Sequence, residues 1–217
     1  MSRYLDGYAY ETDDEHRVAP GEAALIASAL AAALGSSPAA CDRRLKVLDF
    51  GAGTGLLTVA LKAAGYEMIG IDPAPSMVQG GLRLHPELTV SELVVYDEAA
   101  PTPFAPAFFD AITSRQVLCH LESPAAVFDA WWSWLRPGGG VAIVDGYWPH
   151  TSWKPEALSR QPFASLANTD PVRAALESSG FLVDQARSFS ELDALRRAAF
   201  GSSRGRYLVT ARKPLTG

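Results

Sequence analysis

Cysteine is scarce in this chain, and so is histidine: there are two cysteines, Cys41 and Cys119, and four histidines. Neither cysteine stands in a paired spacing that holds zinc or frames a disulfide-rich domain, so no metal centre or covalent staple organises the sequence. Two unpaired thiols fit a reducing compartment. No run of Lys or Arg exceeds a pair and the formal charge is −5, which argues against a surface that tracks the phosphates of a nucleic acid. Separated cations such as Arg204, Arg206, Arg212 and Lys213 most simply form a solvated face. The longest apolar stretch near the amino terminus, Ala23 to Leu34, is alanine-rich and too short to span a bilayer. Met1 to Arg17 is acidic and tyrosine-rich, unlike a basic signal or transit segment. Cytoplasmic residence without a membrane partner is the default expectation. There is no internal repeat.

What the chain does have is enough apolar sequence for a core. Its 217 residues are 48% hydrophobic, and a compact chain of that size buries roughly 70% of the surface exposed when unfolded. A single soluble domain is expected. Strand-like and helix-like segments alternate from Lys46 to Asp145, the pattern of a parallel sheet with helices on both faces and ligands at the strands' carboxyl ends. Within it, the strand-length run Leu45 to Phe50 enters Gly51, Gly53 and Gly55 at alternate positions, and an apolar segment of helical length leaves them. Glycine there lets the main chain turn tightly and approach a ligand without an intervening Cβ. The next strand ends Ile69-Gly70-Ile71-Asp72, 17 residues beyond Gly55, where an acid can accept hydrogen bonds from ribose hydroxyls. Turn and acid together point to a nucleoside-containing cofactor.

The third glycine falls one residue earlier than in a dinucleotide fingerprint, and Asp49 stands two residues before the first. The set Asp49, Gly51, Gly53, Gly55 resembles motif I, (D/E)xGxGxG, of the class I S-adenosylmethionine-dependent methyltransferases. That resemblance implies a Rossmann-like α/β fold, a doubly wound, seven-stranded, mostly parallel sheet with an antiparallel last strand. It also implies S-adenosyl-L-methionine as cofactor and S-adenosyl-L-homocysteine as product. The residues it assigns to the cofactor are Asp49, Gly51, Ala52, Gly53 and Gly55 in the turn, then Asp72, Pro73 and Met77. Leu93 to Asp97, followed by Pro103-Phe104, resembles the third strand and its loop, leaving adenine to Asp97 or the adjacent Glu98. Phe109 to Arg115 resembles the fourth strand and adds Ser114 and Arg115. Leu135-Arg136-Pro137-Gly138-Gly139-Gly140 with Val141 to Asp145 resembles a helix end, a turn and the fifth strand. The opening, Tyr4 to Glu11, resembles the aromatic lid of small-molecule members and brings Tyr10 and Arg17 to the cofactor or substrate.

Methyl transfer from a sulfonium is an in-line displacement, so holding the acceptor atom at reacting distance in a dry site is the main task. A base is needed only when the acceptor must lose a proton. The catalytic candidates are His120, in Val117-Leu118-Cys119-His120-Leu121, and His150 and Tyr147, in the stretch after the fifth strand. That stretch, Gly146 to Pro155, carries three aromatics among prolines and reads as a cover over a pocket. Asp145 and Tyr147 stand where they could hydrogen-bond an acceptor. His85 precedes Pro86 in a surface linker.

Flanking elements follow from local signals. Pro20 suits a first helical turn and Gly35 its end. Asp170 to Ser179 reads as a helix closed by Gly180, Phe181 to Val183 and Arg206 to Ala211 as the closing antiparallel strands, and Leu192 to Arg197 as a short surface helix. The chain divides into a lid and helix (1–40), a cofactor core (41–146), a cover (147–170) and a closing segment (171–217).

The family's marks of base methylation are missing: Ser114-Arg115-Gln116-Val117 stands where an Asn-Pro-Pro-aromatic or Asp-Pro-Pro-aromatic tetrapeptide would, and there is no Pro-Cys pair. N- or O-methylation of a small metabolite or natural product is expected. The same residues permit a peptide or protein side chain as acceptor. A nicotinamide-dependent oxidoreductase and a noncatalytic adenosyl-binding protein are the competing classes. Oligomeric state is silent.

Overall fold

The computed structural model describes residues 16–97 and 104–215. Tyr10 and the rest of the expected amino-terminal lid lie outside the described residues, as do Glu98 and Pro103. The centre is one seven-stranded sheet of order β3-β2-β1-β4-β5-β7-β6. Its strands are β1 (Lys46–Phe50), β2 (Glu67–Asp72), β3 (Leu93–Val95), β4 (Phe109–Arg115), β5 (Leu135–Gly146), β6 (Leu182–Ser188) and β7 (Arg206–Arg212). Strands β1 to β5 are parallel, and β7 inserts between β5 and β6, antiparallel to both. This is the class I methyltransferase arrangement. The order turns at the β1–β4 boundary, where the chain passes from building one half of the sheet to the other, so the carboxyl ends of these strands form the crevice.

Successive residues of the central strands feed opposite faces, as a two-residue period requires. Leu48, Ile112, Val141 and Ile143 join one core with Phe128, Trp131 and Trp134. Val47, Ala111, Ala142 and Val144 join the other with Ile26, Leu30, Leu57 and Leu61. The helices supplying these partners are α1 (Glu22–Leu34), α2 (Leu56–Ala63) and, on the first face, α4 (Pro124–Trp134). Helix α3 (Pro75–Leu84) starts directly after Asp72 with proline in its first turn, a position where the missing N–H costs nothing. Its Gly81 lies so close to the turn after β1 that an added Cβ would sit 2.2 Å from the Thr54 carbonyl oxygen. The remaining helices are α5 (Pro155–Arg160), α6 (Asp170–Ser178) and α7 (Ser190–Phe200).

Three local expectations need correction. Pro20 precedes rather than begins α1, whose cap is the left-handed Gly21. Leu135 to Gly140 is not a separate turn: β5 starts at Leu135, directly after α4, and pairs with Phe109 through an irregular register. Sheet hydrogen bonding continues past the proline because Gly138 takes φ 77 and its N–H finds the Lys213 carbonyl at 3.0 Å. Helix α7 is no mere surface piece, since Leu192, Asp193 and Arg196 are buried. Gly35 does end α1 as its left-handed cap: its N–H donates to the Ala32 carbonyl at 3.2 Å and that of Ser36 to the Ala31 carbonyl at 3.1 Å.

Candidate active site

The turn between β1 and α2 is built on backbone conformations that glycine adopts without strain. Gly51, Gly53 and Gly55 have φ of 74°, 59° and 85°. The N–H groups of Gly51 and Ala52 both donate to the Ile71 carbonyl at 2.9 Å, tying the turn to the end of β2. A Cβ on Gly51 would lie 2.3 Å from a methyl carbon of Val117, so the turn and the segment after β4 close on each other. Asp72 completes the cradle. One carboxylate oxygen accepts the Gly53 N–H at 2.8 Å and the other the Ala74 N–H at 2.9 Å. Burial raises its pKa, while these N–H groups and nearby His120 pull it back. The side chain remains half-exposed, and each oxygen keeps a lone pair for another donor.

Asp49, which the motif assigns to the cofactor, lies inside the fold. Its carboxylate is buried under the turn, where it accepts the Thr58 hydroxyl of α2 at 2.7 Å. Burial raises its pKa to about 6, against the Thr58 hydrogen bond and the charge of Arg115. It therefore supports the glycine turn from below. Arg115 binds within the protein: its guanidinium pairs with Glu22 at 2.7 Å and donates to the carbonyls of His16 and Arg17 at 2.8 and 3.2 Å. Arg196 reaches the same Glu22 at 2.9 Å. Burial works to raise the Glu22 pKa, but the two arginines and the Ala19 N–H outweigh it and hold the carboxyl below its ordinary value. Arg17 lays its guanidinium 3.9 Å over the Phe200 ring.

The other assigned residues fall around the strand ends. Pro73 is exposed and Met77 buried at the start of α3, while Asp97 is exposed just past β3. The Ser114 hydroxyl, at the end of β4, is buried without a hydrogen-bond partner. Next to Arg115 stands a residue the sequence did not signal, Gln116, with φ of 59°. A non-glycine residue in that region is strained and collects at functional turns.

Beyond it, a short 3-10 turn, Leu118–His120, follows β4 at the carboxyl end of the sheet. His120 is exposed, yet enough protein surrounds its ring to lower the imidazole pKa by burial, with Asp145 and Asp72 pulling the other way. Its ring meets Trp153 edge-on, centroids 5.2 Å apart. The segment after β5 is pinned by Trp148, which is buried, donates to Asp145 at 2.9 Å and accepts from the Ser165 hydroxyl at 2.7 Å. Tyr147 is half-buried, its ring 5.3 Å from that of Tyr207. His150 is exposed on the turn His150–Ser152, and its side chain makes no hydrogen bond, ion pair or ring contact among the described residues. Asp145 is fully buried beneath this segment.

A depression of about 460 Å³ lies at the opposite, amino-terminal end of the strands. Its buried acid, Asp110, is already held by Arg43 at 2.6 Å and by Arg136. That end ties β4 to its neighbours and is far from the crevice.

The residues of the cradle suit an adenosyl cofactor. Three left-handed glycines, a half-exposed carboxylate with spare lone pairs and an orphaned buried hydroxyl at Ser114 converge on the β1–β4 boundary, and they fit one. Comparison with known proteins agrees. A family model described as "Methyltransferase domain" matches residues 19–198. The chain therefore belongs to this family, the class I S-adenosylmethionine-dependent methyltransferases.

Among particular relatives, the chain is 39% identical over 101 residues to a ubiquinone biosynthesis O-methyltransferase of Xanthomonas campestris pv. campestris (strain B100). The match covers 45% of this chain and 41% of that protein, so the chain spans about two fifths of the relative. A solved structure of a putative sarcosine dimethylglycine methyltransferase from Galdieria sulphuraria superposes with TM-score 0.64 at 19% identity, covering 89% of this chain and 85% of that one. Phosphoethanolamine N-methyltransferase 2 of Haemonchus contortus, in complex with S-adenosyl-L-methionine, gives TM-score 0.65 at 20% identity, covering 95% and 56%. These two show a shared fold. No helix among the described residues is long and apolar enough to cross a membrane.

Proposed function

We propose that this methyltransferase transfers a methyl group to the nitrogen or oxygen of a small organic acceptor held between the glycine turn and the aromatic wall. The observation that carries this is the position of His120, whose imidazole feels Asp72 on the cofactor side and Asp145 on the other while its ring leans on Trp153 of the cover. An imidazole whose pKa is lowered is neutral near pH 7 and can accept a proton.

The main chain of Gly51 to Gly55 and the Asp72 carboxylate would hold the nucleoside and amino-acid parts of S-adenosylmethionine, with Pro73, Met77, Asp97 and Ser114 bordering the same crevice. When bound, the cofactor's sulfonium supplies an activated methyl carbon. Trp148 and Trp153 exclude water from the acceptor side, which strengthens the electrostatics there. His120 takes the proton that an acceptor hydroxyl or ammonium must lose. Tyr147, just past the β5 end, is the candidate for orienting the acceptor through its hydroxyl.

A small acceptor is favoured because the crevice is walled by a short turn and a folded-over aromatic segment, the latter anchored at both Asp145 and Ser165. The O-methyltransferase name of the Xanthomonas relative and the N-methyltransferase names of the fold neighbours fit such acceptors, and both heteroatoms remain in the proposal. The test is incubation with methyl-labelled S-adenosylmethionine and matched panels of phenols, small amines and short peptides. Label is expected in a low-mass phenol or amine. Label confined to peptides would overturn the proposal.

A further inference from the structure

We propose that Asp145 is a positioning residue for methyl transfer, fastening the His120 turn and the tryptophan cover into one wall and placing a fixed negative charge behind His120. The inference rests on the reading of His120 as the acceptor-side base.

The geometry divides the carboxylate between two segments far apart in sequence. One oxygen accepts the Gly146 N–H at 2.6 Å and the Trp148 indole N–H at 2.9 Å. The other accepts the Cys119 N–H at 3.2 Å. Cys119 is the middle residue of the turn that ends at His120, so a single buried side chain sets where the base and the cover stand relative to each other. Its two hydrogen-bonded segments follow different strands, β4 and β5, and the Cys119 thiol, which hydrogen-bonds the Trp148 side chain, and the His120–Trp153 ring contact join the same two segments beside it. Trp148, once placed, passes the constraint on to Ser165 through its carbonyl.

A neutral group could make some of these hydrogen bonds, so the charge itself needs a reason. Buried carboxylates are costly unless compensated. Here the compensation is partial: Arg206 lies buried with its guanidinium 4.9 Å over the Trp148 ring, and burial together with Arg196 and Arg115 lowers even its pKa to about 10. Two other titratable groups face Asp145, the Cys119 thiol and the Tyr207 phenol, and burial raises both pKa values well above their usual range, keeping both neutral. His120 faces Asp145 and, from β2, Asp72, and both carboxylates favour its charged form against the burial that lowers its pKa. When His120 takes a proton from the acceptor it becomes a cation, and a carboxylate fixed nearby stabilises that charge. Asp145 thus acts through His120 and never touches the acceptor.

Four histidines make the test direct. The C2–H resonances of His16, His85, His120 and His150 are titrated by NMR in the full chain and in Asp145→Asn, with Trp148→Phe as a second variant. Loss of the charge is expected to lower the His120 midpoint, reducing its proton affinity by threefold or more, and to shift the Trp148 indole N–H resonance. His85 and His150 should not move, and S-adenosylhomocysteine affinity should stay within twofold. Trp148→Phe keeps the charge and is expected to leave the His120 midpoint in place while loosening the ring contact with Trp153, so it serves if Asp145→Asn folds poorly. A His120 midpoint unchanged in folded Asp145→Asn, or one that Trp148→Phe moves as far, would overturn the proposal. Because titration reads no turnover, failure of the proposed acceptor chemistry would show separately, as absence of methyl transfer with this coupling intact.

Discussion

Replacing Asp49 by asparagine tests whether the motif's acid lies in the crevice or beneath it. Asp49 is 1% exposed and its pKa is raised from 3.8 to about 6, chiefly by burial. At 1.36 kcal/mol per unit, keeping it ionised in the folded state costs about 3 kcal/mol at alkaline pH. A carboxyl raised in the folded state contributes stability below its unfolded pKa and loses it as pH rises through the folded value. Between pH 5 and pH 8 the wild-type protein should therefore lose about 1.4 kcal/mol through this one group. Asparagine keeps an oxygen to accept the Thr58 hydroxyl and never ionises. Urea unfolding of both proteins at the two pH values isolates the effect, since all other titrations cancel in the difference. The stability of Asp49→Asn relative to wild type should rise by about 1.4 kcal/mol from pH 5 to pH 8. A difference independent of pH would mean that Asp49 is solvated, and the support role assigned to it would be refuted.

Two further substitutions probe the cradle and its foundations. Asp72→Ala removes the acceptor of the Gly53 and Ala74 N–H groups, and S-adenosylhomocysteine affinity measured by calorimetry should fall about 100-fold or more while circular dichroism stays native. Glu22→Gln leaves the buried Arg115 and Arg196 without their shared countercharge and should cost about 3–5 kcal/mol of unfolding free energy. Because the folded pKa of Glu22 is lowered, its stabilisation is complete at neutral pH and fades as pH drops through the folded value; the wild-type advantage over Glu22→Gln should shrink toward acid in the same unfolding assay.

The parts legible in the sequence are those whose physics is local. Strand β1, the glycine turn and Asp72 follow one another within a few dozen residues, and each glycine advertises its own backbone conformation. The β5 lead-in was not legible, because Pro137 and Gly138 to Gly140 carry the marks of a turn. Only the carbonyl of Lys213, far along the chain, reveals that they run as sheet. Asp49 and Arg115 sit in the right motifs, yet their partners decide their tasks: Thr58 lies one helix turn into α2, and Glu22 is 93 residues upstream of Arg115. Gln116 gives no sign at all, since a strained φ at a non-glycine residue leaves no trace in composition. Asp145 looked like an acceptor contact because strand ends usually face the ligand; its burial emerges only when Trp148 and Cys119 fold over it.

The central claim is that main-chain groups of the Gly51 to Gly55 turn, with Asp72, grip an adenosyl cofactor. Isothermal calorimetry of the full chain against S-adenosylhomocysteine, with NADH as the control, addresses it most directly. The predicted result is saturable one-to-one binding of S-adenosylhomocysteine at micromolar strength and no heat from NADH. Binding of NADH with none of S-adenosylhomocysteine would contradict it.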